Sequence, residues 1–541
     1  MKKLLVISCL AIALYSCRKL DQPITREFTE TAYWRDAKDA QDALAACYEH
    51  LSKDDYFFGN EGLSDNAYVN GSGYQNVTAI ANGGYDPSNG RVTDTWGYYY
   101  TTIRRCNNLT GNIGKVPALD SALKRRITAQ ARFIRAYAYF ELLNWYGDVP
   151  FFTNVISMDE SRTINRTAKN QVLQFVQSEL AGIRNDLPTN DYSGAPGGYA
   201  ESDRGRITRG AAIAFSARVH LYAGEWQAAA TDCELLINSS SNGTYSLMPD
   251  YSSIFTVGNE YNREVVLDLQ YGGGRTYDRQ RSFMPQTVTQ LRSVLVPTQD
   301  LVDDYIMLNG KGIKEAGSGY NENAPYTSRD PRFEATILHH GSTVTDFTGA
   351  QQTILTQPGS NPATNTVDDQ GASPTGYYFQ KYYDRSATNY QSSLNLIMIR
   401  YAEVLLTYAE AKNELSQMNA AVWNQTIRAL RVRAKFTDAG ATEFNAALTQ
   451  TQLRDVIRRE RRAELAFEGL RIFDIRRWKI ADQVMSRPVR GIKVTSGAFN
   501  KDPNGYIIVE NRGFNNPKHY LWPVPTFERD QNNNLGQNQG W

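Results

Sequence analysis

The chain has 541 residues, enough to bury a large core and, on length alone, to form more than one domain. Charge is balanced, with Lys+Arg 58 against Asp+Glu 57, which gives no reason to expect nucleic acid or an anionic membrane surface as a partner. Aromatic residues reach 11%, led by 33 tyrosines, a surplus that suits either a core or a binding surface.

The first segment reads as an export signal. Lys2 and Lys3 precede an apolar run of 11 residues, 4–14, and then Tyr15-Ser16-Cys17. A basic start, a short apolar core and a small residue before the break are the parts of a secretory signal. As a helix the run would span about 16 Å, roughly half a bilayer core, so it is an address and not an anchor. Leu14-Tyr15-Ser16-Cys17 matches the lipoprotein pattern, in which cleavage leaves the cysteine first and its thiol is acylated. Cys17 is then the lipidation residue, and everything after it folds outside the cytoplasm. An ordinary secretory signal with a chance cysteine is the other reading. Loss of Lys2 and Lys3 takes the net charge from +1 to −1. No later run is long and apolar enough to cross a bilayer, so lipid is the expected membrane attachment. Cys47, Cys106 and Cys233 remain, odd in number and far apart, and read as three buried thiols.

Apolar or small residues at Ala37, Ala40, Leu44, Cys47 and Leu51 follow helical spacing and predict a helix over 32–51. Residues 54–91 are rich in Gly, Asn and Tyr, with Asn70-Gly71 and Asn82-Gly83-Gly84 as turn chemistry, and are expected to form a long loop. Helices follow over 96–113 and 127–145, the second stopped by Gly147-Asp148-Val149-Pro150. Residues 171–187 and 209–238 continue the pattern. The latter breaks at Gly224-Glu225 into a pair that resembles a tetratricopeptide hairpin. Residues 271–286 and 339–378 read as irregular, with a short β-type piece at 264–270. Residues 394–417 and 453–479 return to helix, and the tail from residue 500 reads as coil. On the last helix Leu453, Val456, Glu460, Ala463, Phe467 and Leu470 share one face, which puts a glutamate on an apolar stripe. A buried carboxylate needs a partner, and the nearby arginines supply one.

Several segments in this order, behind a lipoprotein leader, resemble the SusD/RagB-like outer-membrane nutrient-binding lipoproteins of Bacteroidetes. They are residues 96–108 (WGYYYTTIRRCNN), 129–151 (AQARFIRAYAYFELLNWYGDVPF), 297–310 (PTQDLVDDYIMLNG), 329–333 (RDPRF), 399–411 (IRYAEVLLTYAEA), 457–478 (IRRERRAELAFEGLRIFDIRRW), 521–525 and 537–541. The resemblance implies a mostly α fold, with tetratricopeptide-like helix pairs supporting a loop-rich, irregular second part. The expected organisation is a leader over 1–16, an N-terminal helical region with binding loops over 17–240, and a C-terminal region over 241–541, packed together as one unit. It also implies an outer-membrane position facing the cell exterior, a SusC-like TonB-dependent transporter as partner, and a terminal Gly540-Trp541 packed back on the fold.

Catalytic chemistry is not apparent. The chain has no Gly-x-Ser-x-Gly elbow, His-Glu-x-x-His, phosphate loop or Cys-x-x-Cys, and no catalytic residue, metal or cofactor is expected. Asp303-Asp304 and Asp368-Asp369 lack the spacing of a calcium hand. Binding asks for less: an aromatic plane covers the C–H face of a sugar while amides, carboxylates and arginines hold its hydroxyl rim. Two loop segments carry such groups. One holds Asp65, Asn66, Tyr68, Asn70, Tyr74 and Trp96; the other holds Tyr271, Arg275, Tyr277 and Arg281. The expected function is capture of an oligosaccharide or polysaccharide and delivery to the transporter. Binding of peptide or another nutrient on the same scaffold, a helical glycoside hydrolase and a protein-binding scaffold are the rivals.

Overall fold

A computed structural model describes residues 33–541 except 72, 73, 75, 196 and 362. The leader and Cys17 lie outside the described residues. The fold is mostly α, as expected, and no helix among the described residues is long and apolar enough to cross a membrane.

The helices are α1 (Ala37–Glu49), α2 (Asp54–Gly62), α3 (Gly90–Asn112), α4 (Ser121–Tyr146), α5 (Lys169–Ile183), α6 (Arg209–Ala223), α7 (Trp226–Ile237), α8 (Tyr401–Glu414), α9 (Gln450–Leu465), α10 (Arg471–Arg477) and α11 (Thr526–Gln531), among shorter pieces. From α3 to α9 each of these helices packs on the next one named. Small residues allow the close approach of α6 and α7: Ala212, Ala217, Ala229 and Ala230 are buried. Gly224 ends α6 at φ 74, a left-handed conformation that glycine adopts without a Cβ penalty. Cys47, Cys106 and Cys233 are buried free thiols.

Four short strands join distant parts of the chain. β1 (Ala67–Val69) pairs antiparallel with β3 (Leu295–Pro297) in the register Ala67↔Pro297 and Val69↔Leu295. β2 (Val265–Leu269) pairs antiparallel with β4 (Leu396–Arg400), with bulges between Ile397 and Arg400. The helix expected over 394–417 therefore starts only at Tyr401. Residues 396–400 (LIMIR) are buried throughout, and a short unbroken apolar run is compatible with either structure until a partner strand is present. Similarly, the loop expected over 54–91 contains α2, which buries Tyr56, Phe57 and Phe58, as well as β1 and the N-cap of α3. At that cap Asn89 Oδ1 accepts the N–H groups of Arg91 and Val92. The helix expected over 453–479 is interrupted after Leu465. Phe467 (φ 64) and Gly469 (φ 74) turn the chain before α10, so Phe467 and Leu470 do not continue the α9 stripe.

Glu460 does sit in the interior, 2% exposed, within an Arg/Glu network. It accepts from Arg332 and Arg431, each at 2.7 Å. Arg332 also pairs with Asp330 (2.6 Å) and Glu464 (2.8 Å), while Arg400 reaches Glu264 (2.8 Å), Glu464 (2.6 Å) and Glu468 (2.8 Å). Lys381 completes the cluster on Glu468 at 2.6 Å. The chain's last residue packs back as expected: Trp541 Nε1 donates to the carbonyls of Lys518 and Leu521, and its ring meets Tyr85 at 4.7 Å.

Candidate ligand-binding cleft

A surface cleft of about 510 Å³ opens where three distant segments meet: α3, residues 150–164, and residues 527–535 around α11. On α3 the positions Trp96, Tyr100 and Arg104 follow at intervals of four, so helical geometry alone aligns them along one wall. The rings of Trp96 and Tyr100 lie 5.0 Å apart, and Tyr100 stacks on Phe152 at 5.9 Å and 20°. Tyr100 is fixed by donating its hydroxyl hydrogen to the Pro150 carbonyl at 2.8 Å. The opposite rim is unusually apolar for a surface. Phe527 is 63% exposed and Met158 69%, and Val155 stands beside them.

The rim elements are held by the backbone of their neighbours. Asn532 Nδ2 donates to the carbonyls of Ser161 (3.1 Å) and Ile164 (2.8 Å), and Asn534 Nδ2 to that of Thr163 (2.7 Å). The Thr526 N–H reaches the Pro87 carbonyl at 3.1 Å, which docks the start of α11 next to the start of α3. A Ser157–Glu160 capping box shapes the turn carrying Met158. Polar groups are few. Glu528 is half-buried against the aromatic wall and has no ion pair or side-chain hydrogen bond among the described residues; burial raises its pKa. Burial, with Tyr139 and Glu528 nearby, pushes the Tyr100 phenol well up. Arg104, Arg162 and Gln531 supply donors along the margin. Aromatic planes, an apolar rim and a carboxylate free to accept suit a ring with C–H faces and hydroxyl edges.

Of the residues expected from sequence, only Trp96 lines this cleft. It is 3% exposed and forms the cleft's inner wall, packed edge-on against Tyr146 at 4.9 Å. The structure turns Asp65, Asn66, Tyr74 and Tyr277 inward, which corrects their reading as surface ligand contacts. Asp65 is bound by Arg471 (2.8 Å) and Arg462 (3.0 Å). Burial would raise its pKa, but the two guanidiniums hold it far below the usual carboxylate range. The Asn66 amide donates to Glu61 at 2.9 Å and its oxygen accepts from Arg462 at 2.8 Å. The Tyr74 hydroxyl meets Ser282 Oγ at 3.1 Å, and Tyr277 packs on Tyr271 at 4.7 Å. These side chains are enclosed because the 54–91 segment is folded structure rather than open loop, and its polar groups serve as internal ties.

Tyr271 is nearly buried, its hydroxyl shared with Asp54. Tyr68, Asn70, Arg275 and Arg281 remain partly exposed outside the cleft. Asn70 accepts from Arg292 at 3.0 Å, Arg275 lies over the Tyr271 ring at 4.8 Å, and Arg281 lies over Tyr390 at 5.2 Å. Sequence reading missed Tyr100, Phe152, Met158, Phe527 and Glu528. The spacing of Trp96, Tyr100 and Arg104 was a usable signal, but nothing local ties residues 527–535 to α3. Asp303 and Asp304 are engaged by Arg490 (3.0 Å) and Arg462 (2.5 Å) respectively.

Comparison with known proteins agrees with this architecture. The sequence model described as "SusD family" matches residues 263–541, and one described as "Starch-binding associating with outer membrane" matches 35–221. SusD-like protein P2 of Formosa agariphila is 26% identical over 550 residues, covering 98% of this chain and 97% of that protein. The starch-binding protein SusD of Bacteroides thetaiotaomicron is 25% identical over 173 residues, 30% of this chain and 28% of that one. Among solved structures, a SusD-like carbohydrate binding protein from Bacteroides fragilis superposes with TM-score 0.81 at 26% identity, covering 93% of this chain and 100% of that one. A laminarin binding SusD-like protein shares the fold with TM-score 0.70 at 22% identity, covering 94% of this chain and 100% of that one. With helix after helix packed in chain order, a loop-rich second half and a family match over more than half its length, the chain belongs to the SusD family.

Proposed function

We propose that this protein is an outer-membrane lipoprotein, acylated at Cys17 and facing the cell exterior, that binds an oligosaccharide in the Trp96–Phe527 cleft. It would pass the bound sugar unaltered to a SusC-like TonB-dependent transporter. The observation that carries the binding step is the cleft itself: Trp96, Tyr100 and Phe152 on one wall, exposed Phe527 and Met158 on the other, and Glu528 unpaired between them. The starch, carbohydrate and laminarin named for its relatives support a glycan as ligand. Binding without turnover fits the acid inventory of the cleft. Glu528 is the one carboxylate among its lining residues, whereas most glycosidases use two.

Calorimetric titration of the mature chain against plant, host and microbial glycans tests this reading. At least one glycan should bind, Phe527→Ala should weaken it by about tenfold, the scale of one lost aromatic contact, and no new reducing ends should appear. Failure of every glycan to bind, or binding indifferent to Phe527→Ala, rejects the cleft as the site. Co-purification with an outer-membrane transporter tests the delivery step.

A further inference from the structure

A second groove, of about 1040 Å³, lies between residues 189–193, residues 201–208, residues 240–248 and the β2 segment. It shares no lining residue with the Phe527 cleft. Its floor carries Asp268, 4% exposed. One carboxylate oxygen, Oδ2, accepts from the Asn395 amide at 3.0 Å; the other takes no hydrogen bond from another described residue. Among the described residues no cation pairs with Asp268, which sets it apart from the interior acids of the Arg/Glu network. Glu260 is its acidic neighbour, accepting the Asn395 backbone N–H at 2.7 Å with no cation partner among the described residues.

Two tyrosines flank this carboxyl. Tyr192 is half-buried, stacked on Tyr199 at 6.2 Å with Arg204 over its ring at 5.0 Å. Tyr261 is half-buried and adopts φ 56, a left-handed conformation that costs a residue with a Cβ and needs surrounding contacts to hold it. Gln270 provides one: its Nε2 donates to the Tyr261 hydroxyl at 3.0 Å and to the Arg204 carbonyl at 2.8 Å. Gly205 makes room for it, since a Cβ there would fall 1.5 Å from that nitrogen. The phenols sense the acid: burial and then Asp268 raise the Tyr192 pKa. Burial and Glu260 raise Asp268 to about 7, which leaves it able to donate as well as accept near neutrality.

From this geometry we infer that the groove is a second carbohydrate-binding site, in which Asp268 takes sugar hydroxyls while Tyr192 and Tyr261 contact the ring. A closed network would have paired Asp268 with one of the chain's many arginines. The groove instead leaves a buried carboxyl on its floor with a cation-free oxygen, and two positioned aromatic rings beside it. Two sites on one tethered chain would hold a long polysaccharide more tightly than either alone.

The test uses the mature chain and four probes, maltohexaose, laminarihexaose, cellohexaose and mannohexaose, with binding followed by calorimetry and native mass spectrometry. Tyr192→Ala and Asp268→Asn should each weaken at least one hexasaccharide by about tenfold while the melting temperature holds. If Asp268→Asn does not fold, the half-buried pair Tyr192→Ala and Tyr261→Ala carries the test. No hexasaccharide weakened by the groove variants, whether because none binds or because binding is unchanged, overturns the proposal. Phe527→Ala, run in parallel, separates the two sites: loss only in Phe527→Ala rejects the groove and keeps the cleft, and the converse rejects the cleft and keeps the groove.

Discussion

Glu460 shows how a single side chain can be read from spacing and then explained by its partners. Burial alone would raise its pKa; Arg332 and then Arg431 outweigh that and bring it below the ordinary 4.5. Glu464 and Glu468 follow the same pattern through their own guanidinium neighbours. Removing one partner of such a network leaves uncompensated buried charge, so Glu460→Ala should cost about 3–5 kcal/mol while leaving glycan affinity unchanged. Denaturant titration checks the first part and calorimetry the second; unaltered melting would refute the network's role. The depressed pKa values also set the acid limit. Their stabilisation is present above 4.5 and is lost as pH falls through the folded values. Glu141 and Asp268, both raised to about 7, act in reverse: their contribution is full below the ordinary carboxylate range and gone above about 7. With each network acid held by two or more cations, the acid loss dominates, and the urea midpoint should drop as the pH is lowered from 4.5 through the depressed pKa values of these acids. A midpoint that stays level over that interval contradicts the assignment.

Among the elements, α4 and its stop are the most legible. Its stripe of Ile127, Ala131, Ile134, Ala138 and Leu142 is buried, and Gly147 ends it at φ 74, ψ −116. That conformation excludes a side chain on backbone grounds, and a Cβ would also sit 2.8 Å from Leu521 Cδ1. Gly147→Ala should therefore destabilise by about 1–3 kcal/mol, visible as a lower melting temperature, and a neutral result would show that the turn relaxes. The β4 run illustrates the limit of the same method. LIMIR preceding YAEVLL has no period that distinguishes strand from helix; the choice was made by β2, far earlier in the chain, which pairs with it in the register Leu396↔Leu269 and Arg400↔Val265.

At the scale of the molecule, the N-terminal and C-terminal regions are interlocked. β1 pairs with β3, Arg462 and Arg471 grip Asp65, and Arg512 donates to the carbonyls of Ser64 (2.7 Å) and Ala67 (2.9 Å). One continuous apolar core includes residues from Trp34 to Leu535. Unfolding should accordingly be a single transition that coincides by fluorescence and circular dichroism. Residues 17–240 and 241–541 expressed separately should fail to fold; a stable, helical fragment of either kind would show that the interface is dispensable.

The order of helices, the interior glutamate, the helix-stopping glycine and the family motifs were all determined by the sequence itself. Each depends on contacts a few residues apart or on a periodicity that burial requires. The cleft was decided only by tertiary structure, because Phe527 and Glu528 reach Trp96 through the Thr526–Pro87 and Asn532–Ile164 hydrogen bonds, across most of the chain. The fate of Asp65 and Tyr74 was decided in the same way. A polar, tyrosine-rich segment is compatible with an open loop or with a buried one, and arginines from α9 and α10 drew this one inward, where unpaired carboxylates are too costly to leave.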